Sequence, residues 1–61
     1  MKTYIVTIQE PRDGVAGLIT REYAVEAQTK ASAKTKALKL TGLPVSNPDL
    51  EVLRVEEIVN N

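Results

Sequence analysis

The chain has no cysteine and no histidine. Without cysteine there is no disulfide and no thiolate metal site. Without histidine there is no imidazole ligand, and the commonest general base is missing. Tryptophan and phenylalanine are absent too, which leaves Tyr4 and Tyr23 as the whole aromatic complement. Nucleic-acid bases would find few rings to stack on. No charge of one sign dominates, since eight Lys plus Arg stand against eight Asp plus Glu. That balance argues against a strongly basic nucleic-acid binder and equally against an acidic DNA mimic. No apolar run is long enough to span a membrane, and the opening MKTYIVTIQE is too short and too polar for a signal peptide. These absences lead us to expect a cytoplasmic protein with no cofactor and no membrane partner.

What is present is one small domain, residues 1–61. A chain of this size buries only about 60% of the surface its unfolded form exposes. A single core so small rarely supplies more than about 3–5 kcal/mol. With disulfides and thiolate or imidazole metal sites excluded, a partner subunit is the staple the composition leaves open.

The stretch Tyr23–Gly42, YAVEAQTKASAKTKALKLTG, organises the rest. Tyr23, Val25 and Ala27 alternate with Ala24, Glu26 and Gln28, which is the period of a half-buried strand. The period then changes. Thr29 can cap a helix, Ala33, Ala37 and Leu40 recur at spacings of four and three, and Gly42 can end it. The spacing predicts a helix over 30–41 with Leu38 at the margin of its inward stripe.

Before this stretch, Lys2–Gln9 reads as a strand with Tyr4, Val6 and Ile8 on one face and Thr3, Ile5 and Thr7 on the other. Glu10–Gly17 reads as a hairpin loop, with turn chemistry in Pro11-Arg12-Asp13-Gly14. Its glycines lack the GK[ST] of a phosphate loop. Leu18–Gln28 is the second strand, longer than the first. After the helix, LPVSNPD carries two prolines and a turn at Ser46–Asp49. Leu50–Val59 also has apolar residues at helical spacing, but its Val and Ile content and the sheet's need for another strand favour a strand. Its alternation places Leu53 and Val55 inward, with Val52, Arg54, Glu56 and Ile58 outward. Asn60 and Asn61 read as a frayed tail.

The order ββαβ predicts an α+β fold. The expected sheet has three antiparallel strands in order 2-1-3, the most β-branched strand in the centre and one helix across one face. The expected core is Tyr4, Val6, Ile8, Ile19, Tyr23, Val25, Ala27, Ala33, Ala37, Leu40, Leu53 and Val55.

Few side chains here can carry chemistry. Ser32 and Ser46 have no histidine to activate them, and Glu56 and Glu57 point to opposite faces of a strand. Glu22, Glu26 and Glu56 could share a hard cation, with Arg54 and solvent as competing partners. We expect no enzymatic activity. The uncovered sheet face keeps apolar residues where clean polar alternation is usual. Ile5, Ala24, Val52 and Ile58, with Arg54 among them, therefore form a candidate protein interface. A homodimer, isologous by default, is the expected assembly, and another protein is the other candidate partner. Edge pairing of two second strands is the competing geometry. The alternative function is nucleic-acid binding through Lys30, Lys34, Lys36 and Lys39. At 100° per residue these lysines fall on two flanks of the helix.

The segments YIVTIQE and YAVEAQTKASAKTKAL resemble small phage and plasmid proteins of the DpnD/PcfM type. In these a Y-x-V-x-I-x-E strand precedes a V-x-A-x-[ST] strand end and an Ala-spaced helix. The likeness covers residues 4–10 and 23–38. Lys30 and Ser32 stand where such helices usually carry an acidic first turn. The resemblance implies a mobile-element origin and a binding role, with no defined chemistry.

Overall fold

The computed structural model describes residues 1–11 and 17–59. Four elements follow one another: β1 (Lys2–Pro11), β2 (Leu18–Ala27), α1 (Lys30–Leu40) and β3 (Glu51–Ile58). The sheet order is β2-β1-β3, and β1 is antiparallel to both neighbours. This is the α+β arrangement that the order of elements predicts. The central strand alternates Tyr4, Val6 and Ile8, all buried, with Thr3, Ile5 and Thr7, all half-buried. Neither face of β1 is fully open to water, which suits its β-branched composition.

β1 runs two residues past its expected end, so Glu10 belongs to the strand and not to the loop. The β1–β2 register is unbroken from Lys2↔Ala27 to Pro11↔Leu18. On the other side, β3 pairs only as far as Gln9↔Glu51. Pro11 therefore lies in a two-stranded stretch, where one side of β1 has no ladder for a proline to interrupt. The turn expected from Arg12-Asp13-Gly14 and the tail expected at Asn60 and Asn61 lie outside the described residues.

β3 departs from strict alternation. Thr7 pairs with Arg54, but Ile8 pairs with Val52, so Leu53 has no partner on β1. The extra residue makes a β-bulge. It changes the parity of everything before it in β3. Val55 still faces inward opposite Val6, but Val52, not Leu53, stands opposite Ile8 and packs on the core. Leu53 is left 49% exposed. The expected inward Leu53 and outward Val52 are thus exchanged, because a period of two holds only while each residue has one partner.

α1 starts where the sequence places it. Thr29 is extended (φ −136°, ψ 162°), and its Oγ1 accepts a hydrogen bond from the Ser32 amide at 3.2 Å. The helix ends at Leu40. Thr41 caps it, and Gly42 takes the left-handed conformation (φ 75°) while its amide donates to the Lys39 carbonyl. The buried stripe is Ala33 and Ala37, both fully inaccessible, so small side chains let the helix lie close to the sheet. Leu38 packs against the core, whereas Leu40 is 61% exposed. The buried stripe stops at Ala37, one turn short of the helix end, and this displaces Leu40 from the expected core. Ile19 is only half-buried. Among the described residues the buried apolar ones are Tyr4, Val6, Ile8, Val25, Ala27, Ala33 and Ala37, with Tyr23, Leu38, Leu50, Val52 and Val55 packed around them. Leu50 enters from the preceding loop. There the Asn47 side-chain oxygen accepts from the Asp49 amide at 2.9 Å, and the Leu50 amide donates to the Asn47 carbonyl, so the turn spans Asn47–Leu50, one residue later than the expected Ser46–Asp49.

Candidate protein interface

The helix covers one face of the sheet, and its closest packing is on β2. Strand pairing assigns the residues of the other face directly. Ala24, Ile5 and Glu56 make one cross-strand row. Glu26, Thr3 and Ile58 make the next, and Glu22, Thr7 and Arg54 lie on the opposite side. Thr20, Gln9 and Glu51 follow beyond these. The three apolar members, Ile5, Ala24 and Ile58, therefore sit in adjacent rows. Ala24 is exposed, Ile5 is half-buried between its neighbours, and Ile58 is 38% exposed. Arg54 projects from this face and approaches Glu56 at 3.3 Å. Val52 does not belong to the face. The bulge turns it to the covered side, so four of the five expected interface residues come together and the fifth joins the core.

The charges on this face are uneven. Glu22, Glu26, Glu51 and Glu56 stand against a single Arg54. Glu57, next to Glu56, lies opposite Tyr4 on the covered side and pairs with Lys2 at 3.7 Å. Among the described residues no three acidic groups gather closely enough to hold a cation.

The helix lysines are divided as the helical angle predicts. Lys30 and Lys34 overhang a shallow groove of about 230 Å³ on the β3 side, together with Val52, Leu53, Arg54 and Val55. Lys36 reaches the other way, and its ammonium donates to the Glu26 carbonyl at 2.6 Å. Lys39 lies in the last turn, where a cation suits the helix dipole. No single lysine stripe results.

Glu10, which its Pro-Arg-Asp-Gly surroundings assign to the hairpin loop, is a buried polar centre on β1. It is 4% exposed. Tyr23 OH donates to its Oε2 at 2.7 Å, and Arg21 Nη1 lies 3.6 Å from its Oε1. Burial pushes the Tyr23 phenol above its ordinary pKa, and the Glu10 carboxylate pushes it further the same way. The signal was available: Glu10 continues the parity of Tyr4, Val6 and Ile8, and Arg21 and Tyr23 share that parity on β2. Both Glu10 oxygens have partners within the hairpin, so the group ties β1 to β2.

Comparison with protein-family models, with curated proteins and with solved structures gives no match. Among the described residues no helix is long and apolar enough to cross a membrane.

Proposed function

We propose that this chain is a small non-enzymatic protein-binding module whose contact surface is the uncovered face of the sheet, and that a second copy of the chain occupies it. The observation that carries this reading is the cluster of Ile5, Ala24 and Ile58 in adjacent rows, with Glu22, Glu26, Glu56 and Arg54 around it. Ile5 at the middle of the face, with the charged residues on the two edge strands, follows the anatomy of a protein interface. The size of the core supports it as well. Among the described residues, three of the seven buried apolar ones are alanines, so covering Ile5 and Ile58 would add to a marginal total. The resemblance to DpnD/PcfM-type proteins would make the module one of mobile-element origin, and the lack of cysteine suits the cytoplasm.

Nucleic-acid binding has less support. The lysines are split between two flanks, Lys36 already holds a backbone carbonyl, and both tyrosines face the core side. Sedimentation equilibrium over a range of concentrations tests the preferred reading. Self-association should be present in the wild type, lost in Ile5→Lys and kept in Thr20→Lys, which lies away from the apolar rows. A wild type that stays monomeric at hundreds of micromolar would refute it.

A further inference from the structure

The balanced formal charge of this chain conceals a strong segregation between its two sides. The uncovered sheet face carries four glutamates and one arginine. The helix laid on the opposite face carries no acid at all, and beside Lys36, which is held by the Glu26 carbonyl, it presents Lys30, Lys34 and Lys39. Lys2 and Arg21 lie on that side too, in register with the buried residues of β1 and β2. Among the described strand residues of that side, the acids Glu10 and Glu57 pair with these same two cations, so the positive charge that is left belongs to the helix. Shape matches charge. The exposed Ala31 and Thr35 stand opposite the buried Ala33 and Ala37 on the helix, so its outer surface is low in the middle, with Lys30 and Lys34 on the flank towards β3 and Lys36 on the flank towards β2. Along the middle of the sheet face run the small or half-buried Thr3, Ile5, Thr7 and Gln9, and its four glutamates all lie on the two edge strands.

We infer that copies of this chain associate head to tail, with the glutamate-edged sheet face of one seated on the lysine-bearing helix of the next. This rests on the reading above that a second copy occupies the sheet face, and it fixes which surface of that copy is used. The symmetric alternative sets two sheet faces together, which brings eight glutamates against two arginines. Like charges juxtaposed across an interface oppose association, whereas opposite patches favour it. A head-to-tail contact leaves one free sheet face and one free helix on every assembly, so unless rotation closes a ring it continues.

Sedimentation equilibrium at low and high sodium chloride decides the geometry with the wild type alone. Head-to-tail association gives a mean mass that rises past two copies, without limit in an open assembly or to the size of a ring of three or more. Its association constant falls roughly tenfold or more as salt rises, because the attraction is between exposed charges. Sheet-to-sheet pairing gives a plateau at two copies and strengthens with salt. Two charge-reversed variants test it again. Glu22→Lys/Glu56→Lys and Lys34→Glu/Lys39→Glu alter only exposed residues. Each should be monomeric alone, and an equimolar mixture should associate, since each supplies the surface that complements the other's altered one. If Lys34→Glu/Lys39→Glu associates like the wild type while Ile5→Lys does not, the head-to-tail geometry is wrong and the sheet face remains the contact. A wild type that is monomeric throughout removes both.

Discussion

Removing one residue from the middle of a β-strand usually exchanges its faces from that point on. Here the outcome should depend on which residue is removed, and Leu53 should be dispensable. It has no partner on β1. Without it, Val52 stays opposite Ile8 and Arg54 opposite Thr7, which is ordinary alternation. The loss is the half-burial of one leucine, about 1 kcal/mol, and a regular ladder replaces the bulge. In a domain of this size about 1 kcal/mol moves the melting temperature by roughly 4–8 °C. Deletion of Thr7, directly across the sheet, provides the contrast. It must send either Tyr4 and Val6 or Ile8 and Glu10 to the uncovered face. All four are buried. Exposing even one large apolar side chain costs about 1.5–3 kcal/mol, and the Glu10 network is lost with Ile8. Little or nothing remains of a total near 3–5 kcal/mol. Far-UV circular dichroism melts of the two deletion variants, with cross-strand NOEs between Ile8 and Val52, provide the assay. The Leu53 deletion should fold with those NOEs intact, and the Thr7 deletion should not fold. An unfolded Leu53 deletion would refute the claim that this residue is surplus to the pairing.

Three further outcomes follow from contacts already described. Ala37→Leu should overpack the helix–sheet contact and cost about 1–3 kcal/mol in denaturant melts, while Ala31→Leu on the exposed side should change stability little. Thr29→Ala should remove the N-cap hydrogen bond and cost about 1 kcal/mol by the same assay. In an alkaline absorbance titration, subtracting a Tyr23→Phe trace should place the Tyr23 ionisation above 10, and Glu10→Gln should move it down. The folded protein holds the Tyr23 proton more tightly than the unfolded chain does. This contribution to stability is therefore complete below pH 10 and is lost as pH rises through the folded-state value. A Tyr23 that ionises at or below 10 would contradict the placement of its hydroxyl on Glu10.

The sequence revealed the order of elements and the sheet topology, because these rest on periodicity and punctuation. Thr29 and Gly42 bracket the helix in the residues themselves, and β1 declares its central place by its β-branched side chains. The candidate face was legible up to the bulge. Ile5, Ala24, Arg54 and Ile58 follow from parity alone, whereas Val52 required knowing that Leu53 has no partner. That fact lies in the pairing of strands more than forty residues apart, and no local pattern in LEVLRVEEIV records it. Glu10 failed for a different reason. Its neighbours Pro11 and Asp13 suggest a turn, and the charge of a lone glutamate suggests solvent. Only the alignment of Arg21 and Tyr23 across the hairpin makes burial affordable. Leu40 was misplaced because helical spacing gives direction around an axis but not how far along it the sheet extends.

The central position of the first strand has a consequence for how the protein is made. During synthesis β1 emerges first, β2 and α1 follow, and the second partner of β1 comes last. About forty residues separate Pro11 from Glu51, which at ribosomal speeds of about 5–20 residues per second is roughly 2–8 s. For that interval the most β-branched segment in the chain presents one bare, hydrogen-bond-hungry edge. Such an edge is a template for any other extended chain nearby. Nascent copies on one messenger would be the nearest such chains. Until Glu51–Ile58 pairs with β1 that edge stays open, so the domain is most prone to misassembly before its last partner strand joins the sheet.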